Sequence, residues 1–305
     1  MKYLPIRVNT LRPGAPVHFD VFIKLGDRTV HYIRENDPIE GDRIEKLKEK
    51  KVRKLLIPEE SEDKYLEYLD AGLKSLTEPK APIENRGAVA NDTLVTAAEN
   101  AEHNLETEKG FKTTEDQMNK ILQFIQSDRA AIKSILGSAG QSSDLHQHAA
   151  TVSSLSISVA SKLGIKNPRE IAELGIAGLL HDIGKNQLSF DPLKKRAEMT
   201  PDESKEYESH VTKSLDLLTK KKFITPTIVN LVANHEEVGR GRGFPEKKNL
   251  SELPKLNQIL NLCNDFDRFC HENNLEPLQG IDPFYENRAP NFNEEYISLL
   301  ATVLT

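Results

Sequence analysis

The chain is poor in the residues that mark whole classes of protein. Only two of its 305 residues are cysteines, Cys263 and Cys270. Seven apart inside an apolar helical pattern, they argue against a disulfide scaffold and lack the spacing of a zinc-thiolate site. Two small core residues are expected instead. No apolar run approaches the roughly eighteen residues that span a bilayer, and the opening Met1-Lys-Tyr-Leu-Pro-Ile-Arg-Val8 has neither the apolar stretch nor the small-residue cleavage site of a secretory signal. Positive charge is also in short supply. The 41 Lys and Arg face 47 Asp and Glu, a net charge of −6, which removes the electrostatic footprint of a nucleic-acid or membrane-surface protein. The expectation is a cytoplasmic protein with no nucleic-acid and no membrane partner, in which any polyanion is met by local charge.

What is present divides in two. At 305 residues the chain has material for two domains and a sizeable core. Short β-type runs occupy its start, Val17 to Lys24 and Thr29 to Ile33, with Gly26-Asp27 between them as a hairpin signal. A helical stretch, Ile44 to Lys51, leads into a third run, Val52 to Ile57, stopped by Pro58. A further helix starts at Ser61. Pro79, Pro82, Asn85 and Gly87 then interrupt the pattern, so the boundary is placed near 85: a small α/β domain over 1–85 with no chemical constellation, and 86–305 beyond it.

The second part reads as mainly α. A helix capped by Asn91 or Asp92 runs to about Lys109, and Thr114-Glu-Asp-Gln117 forms a capping box that opens another through Leu136. Further helices are expected from Ser143 to Leu163, from Asn167-Pro168 to His181, from Thr200-Pro201 past Leu218, from Pro226 through about Glu237, and from Pro254 along the stripe Leu256, Ile259, Cys263, Phe266 and Cys270. No internal repeat is evident.

At the end of an apolar run, His181-Asp182-Ile183-Gly184-Lys185 sets an imidazole, a carboxylate and an ammonium where little water is available. Five of the nine histidines fall between 146 and 235, four of them on four different expected helices. His148 shares a face with Val152, Leu155 and Val159; His181 with Ile171, Leu174 and Gly178. His210 flanks the apolar stripe of its helix, His235 is in line with Ile228 and Leu231, and Asp265 adjoins the inward stripe of the long helix near the C-terminus. Each histidine taken alone is more often a hydrogen-bonded core residue than a ligand. Together they have the make-up of a dinuclear site in a helical bundle. A nitrogen and oxygen donor set without thiolate suits iron, manganese, nickel or zinc. Two ions about 3.5–4 Å apart, bridged by Asp182, would hold phosphate oxygens and a hydroxide nucleophile. Lys185 would neutralise a phosphate oxygen as charge develops, or else serve the helix dipole at a C-terminus.

His148, the 181–185 stretch, His210, His235-Glu236 and a loop ending Gly243-Phe244-Pro245 follow one another with the order and spacing of a known family. Over residues 95–305 the chain resembles the HD-GYP subgroup of the HD-domain metal-dependent phosphohydrolases, and its N-terminal part is similar to the small α/β domains that often precede such modules. The resemblance implies an all-helical domain with two or three metal ions, iron or manganese foremost, that hydrolyses cyclic di-GMP to pGpG or GMP in bacterial signalling. Carried over by position, it implies metal ligands at His148, His181, Asp182, His210 and His235, a catalytic, phosphate-contacting Lys185, and a further carboxylate at Asp144.

Three features depart from the family pattern. Asn234 stands where a histidine is usual. The signature tyrosine is Phe244, and the loop before it, Gly239-Arg-Gly-Arg-Gly243, lacks an aspartate-glycine pair and is one residue longer. Arg240 and Arg242 could cradle a phosphate there, or lie in a solvated loop. For the last ligand, gapless alignment gives Asn264 with Asp267 in the second position of the motif; a shift of one gives Asp265, favoured as the better ligand. The leading expectation is a phosphodiesterase with two divalent transition-metal ions. The alternatives are a weakened module that binds nucleotide or docks a signalling protein such as a diguanylate cyclase, and a hydrolase of another phosphate ester.

Overall fold

A computed structural model describes residues 2–50, 52, 54–77, 81–139 and 144–305. Period-two burial builds its first element: Val21, Ile23, Leu55 and Ile57 are buried, while Phe22, Lys24, Lys54 and Leu56 are not. Strands β1 (Tyr3–Arg7), β2 (Val21–Leu25), β3 (Arg28–Ile33) and β4 (Lys54–Pro58) form one antiparallel sheet in the order β1-β4-β2-β3. Gly26-Asp27 makes the β2–β3 turn, as expected. β1 is a strand the pattern does not announce: it contains Pro5, and its place at the sheet edge is where a strand tolerates proline. Helices α1 (Gly41–Glu49) and α2 (Glu62–Lys74) add Ile44, Leu47, Tyr65, Tyr68 and Leu69 to the same core.

The rest is helical: α3 (Ile83–Glu99), α4 (Ala101–Asn104), α5 (Glu108–Ser127), α6 (Ala131–Ala139), α7 (Leu145–Lys162), α8 (Pro168–Leu180), α9 (Pro201–Glu208), α10 (His210–Leu218), α11 (Pro226–Ala233), α12 (Lys255–Asn273), α13 (Pro277–Arg288) and α14 (Glu294–Leu304). Where a cap and a first-turn proline coincide, the sequence places the start correctly. Asn167 caps α8, Thr200 and Glu203 form the capping box of α9, and Thr225 caps α11.

Several boundaries differ. α3 begins at Ile83, so residue 85 lies inside it, and it stops at Glu99 rather than near Lys109. The Thr114 box is not a helix start. The Thr107 hydroxyl accepts from Gly110 N at 3.0 Å and opens α5 there, leaving Thr114 mid-helix. That helix ends before Asp128, whose extended backbone and bond to Ala130 N separate α6 from it. The helix from Pro201 is interrupted at Ser209, and α11 ends at Ala233, leaving His235 in a turn. Pro79 and Ser143 lie outside the described residues.

Two hydrophobic clusters divide the chain, one reaching from Ile6 to Leu69 and one from Leu73 to Leu304. At the centre of the second, α7 presents buried small residues, among them Ala149, Ser153 and Ser156, to α8 and α12. Close approach is essential at Gly178, where a Cβ would come within 2.7 Å of Ser153 Cα. That contact brings the end of α8, with His181, against the face of α7 that carries His148. Cys263 and Cys270 are buried and free, as expected of core residues. Among the described residues no helix is long and apolar enough to cross a membrane.

Candidate metal centre

Three of the four clustered histidines stand at helix ends, where main-chain carbonyls lack intrahelical partners. His181 follows α8 and donates Nδ1–H to Gly178 O, His210 follows the break after α9 and donates to Tyr207 O, and His235 follows α11 and donates to Val232 O, at 2.5–2.8 Å. Each bond closes a carbonyl three residues back and fixes the tautomer, leaving Nε2 as the free donor atom. His148, in the first turns of α7, is held by a side chain instead, with Nδ1 2.6 Å from Asp267 Oδ2 on α12. Gly184 lets the turn after Asp182 close on α10, since a Cβ there would meet His210 O at 2.3 Å.

All four Nε2 atoms converge on Asp182. His148 and His181 stand 3.4 and 3.3 Å from Oδ2, while His210 and His235 stand 3.3 and 3.5 Å from Oδ1. Within the pairs the Nε2 atoms are 3.3 and 3.0 Å apart. Burial pushes His181 and His235 down, and His210 down to about 4. Burial would lower His148 as well, but its bonds to Asp182 and Asp267 outweigh that and hold it up at about 9. Burial also opposes the charge on Asp182, yet the surrounding histidines and Lys185 keep it well below the usual carboxylate range.

At His181, His210 and His235 the Nδ1–H is already committed and burial favours the neutral ring, so Nε2 faces the cluster with a lone pair, and Asp182 Oδ1 is buried without a hydrogen bond. A bound cation would satisfy these lone pairs and the Asp182 oxygen together. The donors group as His148, His181 and Asp182, and as Asp182, His210 and His235, each set lying within 4.8 Å. Nitrogen and oxygen donors in this mix fit a divalent transition metal.

The remaining residues singled out by sequence are distributed unevenly. Lys185 is brought in, its Nζ 2.6 Å from Asp182 Oδ2. Asp265 is not. It bonds Arg268 Nη2 at 2.7 Å, and the gapless register puts Asn264 at the site, with Oδ1 3.1 Å from His148 Nε2. Asn234 turns away, accepting from Lys248 Nζ at 2.6 Å. Asp144 caps α7 and lies 3.5 Å from Arg7 of β1. Arg240 and Arg242 are exposed, and Arg240 lines a separate depression beside Asn249 and Gln258. Their loop is fastened from below by Glu237, whose buried carboxylate accepts from Glu246 N at 2.6 Å and Lys248 N at 2.8 Å. Phe244 places its ring 5.9 Å from that of His210.

Above the cluster opens a cavity of about 330 Å³ with His148, Asp182 and Lys185 in its wall. Sequence reasoning missed most of its other polar lining: Lys194, Arg196, Tyr207 and Arg268. Behind them Glu236 pairs with Arg196 at 2.7 Å and Arg268 at 2.8 Å. Arg268 carried a usable signal, one turn after Asp265 on the same helix. Arg196, which opens a short 3-10 turn over Arg196–Glu198, carried none.

Residues 138–277 match the family model described as HD domain. The cyclic di-GMP phosphodiesterase PA4108 of Pseudomonas aeruginosa is 27% identical over 122 residues, covering 40% of this chain and 29% of that protein. A cyclic di-GMP phosphodiesterase of Thermotoga maritima is 27% identical over 125 residues, covering 41% of this chain and 34% of that one. The chain thus spans about a third of the length of the curated relatives it matches. Among solved structures, Bd1817, a HDG"Y"P protein from Bdellovibrio bacteriovorus, superposes with a TM-score of 0.85 at 26% identity, covering 99% of both chains. With its histidines and Asp182 gathered as described, the chain is similar to HD-domain proteins over residues 138–277 and, over its whole length, to a solved HDG"Y"P protein.

Proposed function

We propose that the protein is a metal-dependent phosphodiesterase that hydrolyses cyclic di-GMP to pGpG or GMP in bacterial second-messenger signalling. One observation carries this reading: the two oxygens of Asp182 each face a separate histidine pair, the layout of a carboxylate shared by two cations. His148 and His181 would hold one ion and His210 and His235 the other, iron or manganese foremost. Bound there, the ions supply Lewis acidity at the phosphate and acidify water. Lys185 contributes a buried ammonium that offsets charge building on a phosphate oxygen. The names of the Pseudomonas and Thermotoga relatives support the substrate. We read 86–305 as the phosphohydrolase domain and 1–85 as a small regulatory or interaction domain; the two hydrophobic clusters support a two-part chain and themselves part between Leu69 and Leu73. A cytoplasmic setting fits this role.

The test is turnover. Metal-loaded protein incubated with cyclic di-GMP should yield linear products, and a variant with both His181→Ala and Asp182→Ala should yield none. A loaded wild type that releases no product, or a double variant as active as wild type, refutes the reading. A second reading is favoured by Asn264, an amide beside His148 where the family commonly places a carboxylate. In it the module binds a cyclic dinucleotide or docks a signalling protein such as a diguanylate cyclase without turnover. Tight binding with no product would select it.

A further inference from the structure

Glu236 gathers two cations of the cavity wall into an arrangement for which the metal chemistry has no use. Nearly all buried, it takes Arg196 Nη2 at 2.7 Å and Arg268 Nη1 at 2.8 Å. Arg268 is largely spent, because its Nη2 goes to Asp265 at 2.7 Å. Arg196 is not. Of the five N–H donors of a guanidinium, those on Nη2 reach Glu236 and the Tyr207 hydroxyl, and those on Nε and Nη1 meet no partner among the described residues. The group is also held in place: it stands 4.9 Å from the centre of the Tyr207 ring and 5.7 Å from that of Phe244.

Arg196 and Lys185 line the same cavity from different depths. Lys185 is 5% exposed against Asp182, whereas Arg196 is 39% exposed, on the solvent side. An aromatic-clamped guanidinium with unspent donors, fixed by a buried carboxylate, is suited to a phosphate. We infer that Arg196 forms a second phosphate subsite, binding a phosphate of the ligand other than the one addressed to the Asp182 cluster. This rests on the phosphodiesterase reading and adds a specificity to it, for ligands with two phosphates over ligands with one.

The probe is a pair of dinucleotides, guanylyl-(3′→5′)-guanosine with and without a 5′-phosphate, titrated calorimetrically into the metal-loaded protein. Arg196→Met is a clean perturbation because Glu236 keeps Arg268, so no buried charge is orphaned. Wild type should bind the 5′-phosphorylated form about ten- to hundredfold more tightly. R196M should lose most of that preference, and R196K, which keeps the charge without the planar fork, should retain part of it. Circular dichroism and metal content check that each variant is folded and loaded. A full preference surviving in R196M, or no preference in wild type, overturns the subsite and leaves the phosphodiesterase reading standing. A wild type that binds neither dinucleotide overturns both.

Discussion

Replacing Asp267 tests whether the centre depends on a residue that touches no cation in the proposed arrangement. Its Oδ2 lies 2.6 Å from His148 Nδ1 and is the only side-chain atom among the described residues that orients that ring from the Nδ1 side. The other three histidines use main-chain carbonyls and are untouched by the change. Partners of this kind are worth roughly ten- to a hundredfold in metal affinity, or about 1.4–2.8 kcal/mol at 1.4 kcal/mol per decade. Asp267→Asn keeps an acceptor and should fall near the lower figure, and Asp267→Ala near the upper.

The pH dependence supplies a second readout with a definite sign. His148 is held at about 9, so below that pH a proton must leave before a cation binds. Affinity at this half of the centre should therefore rise with pH and level off near 9 in wild type. Without Asp267 one of the groups raising His148 is gone, so the plateau should begin at lower pH. Competition titrations of manganese against a chelator across pH 6–10 (about the range in which His148 titrates) measure both quantities. Affinity within twofold of wild type, with an unmoved plateau, would refute the role given to Asp267.

Two further outcomes concern the scaffold. Gly178→Ala drives a methyl into Ser153 backbone and should cost about 1–3 kcal/mol in urea unfolding, while a Gly137→Ala control, with nothing within 4 Å of the new Cβ, should not destabilise by that mechanism. Glu237→Gln weakens the two main-chain bonds that fasten the 239–248 loop, about 1.5–3 kcal/mol for bonds to a charged group. Limited proteolysis should then cut that loop faster than in wild type, and an unchanged cleavage rate would show that the anchor lies elsewhere.

Much of this arrangement could be read from the chain, for identifiable reasons. Asn167-Pro168, Thr200-Pro201 and Thr225-Pro226 pair a cap with a proline at the first turn, a local signal that tertiary packing rarely overrides, and they set the helices whose ends carry His181, His210 and His235. Thr114 misled because its capping pattern competes with the equally good cap at Thr107 seven residues earlier. The choice between Asn264 and Asp265 lay beyond local reasoning. Both are buried on α12, and what decides is that Arg268, drawn to Glu236 from another segment, captures Asp265. Arg240 and Arg242 drew attention as charges in a glycine-rich loop, whereas the cavity is lined by Arg196, from a stretch with no periodicity.

The donor atoms around Asp182 come from segments as far apart as His148 and His235, 87 positions along the chain (235 less 148). No fragment short of the assembled bundle brings them together, so an ion bound there acts as a ligand of the native state alone. By mass action, an ion held at a thousand times its dissociation constant adds about 4 kcal/mol to unfolding. Cellular supply of the metal would then set how long the protein survives as well as how much of it is loaded.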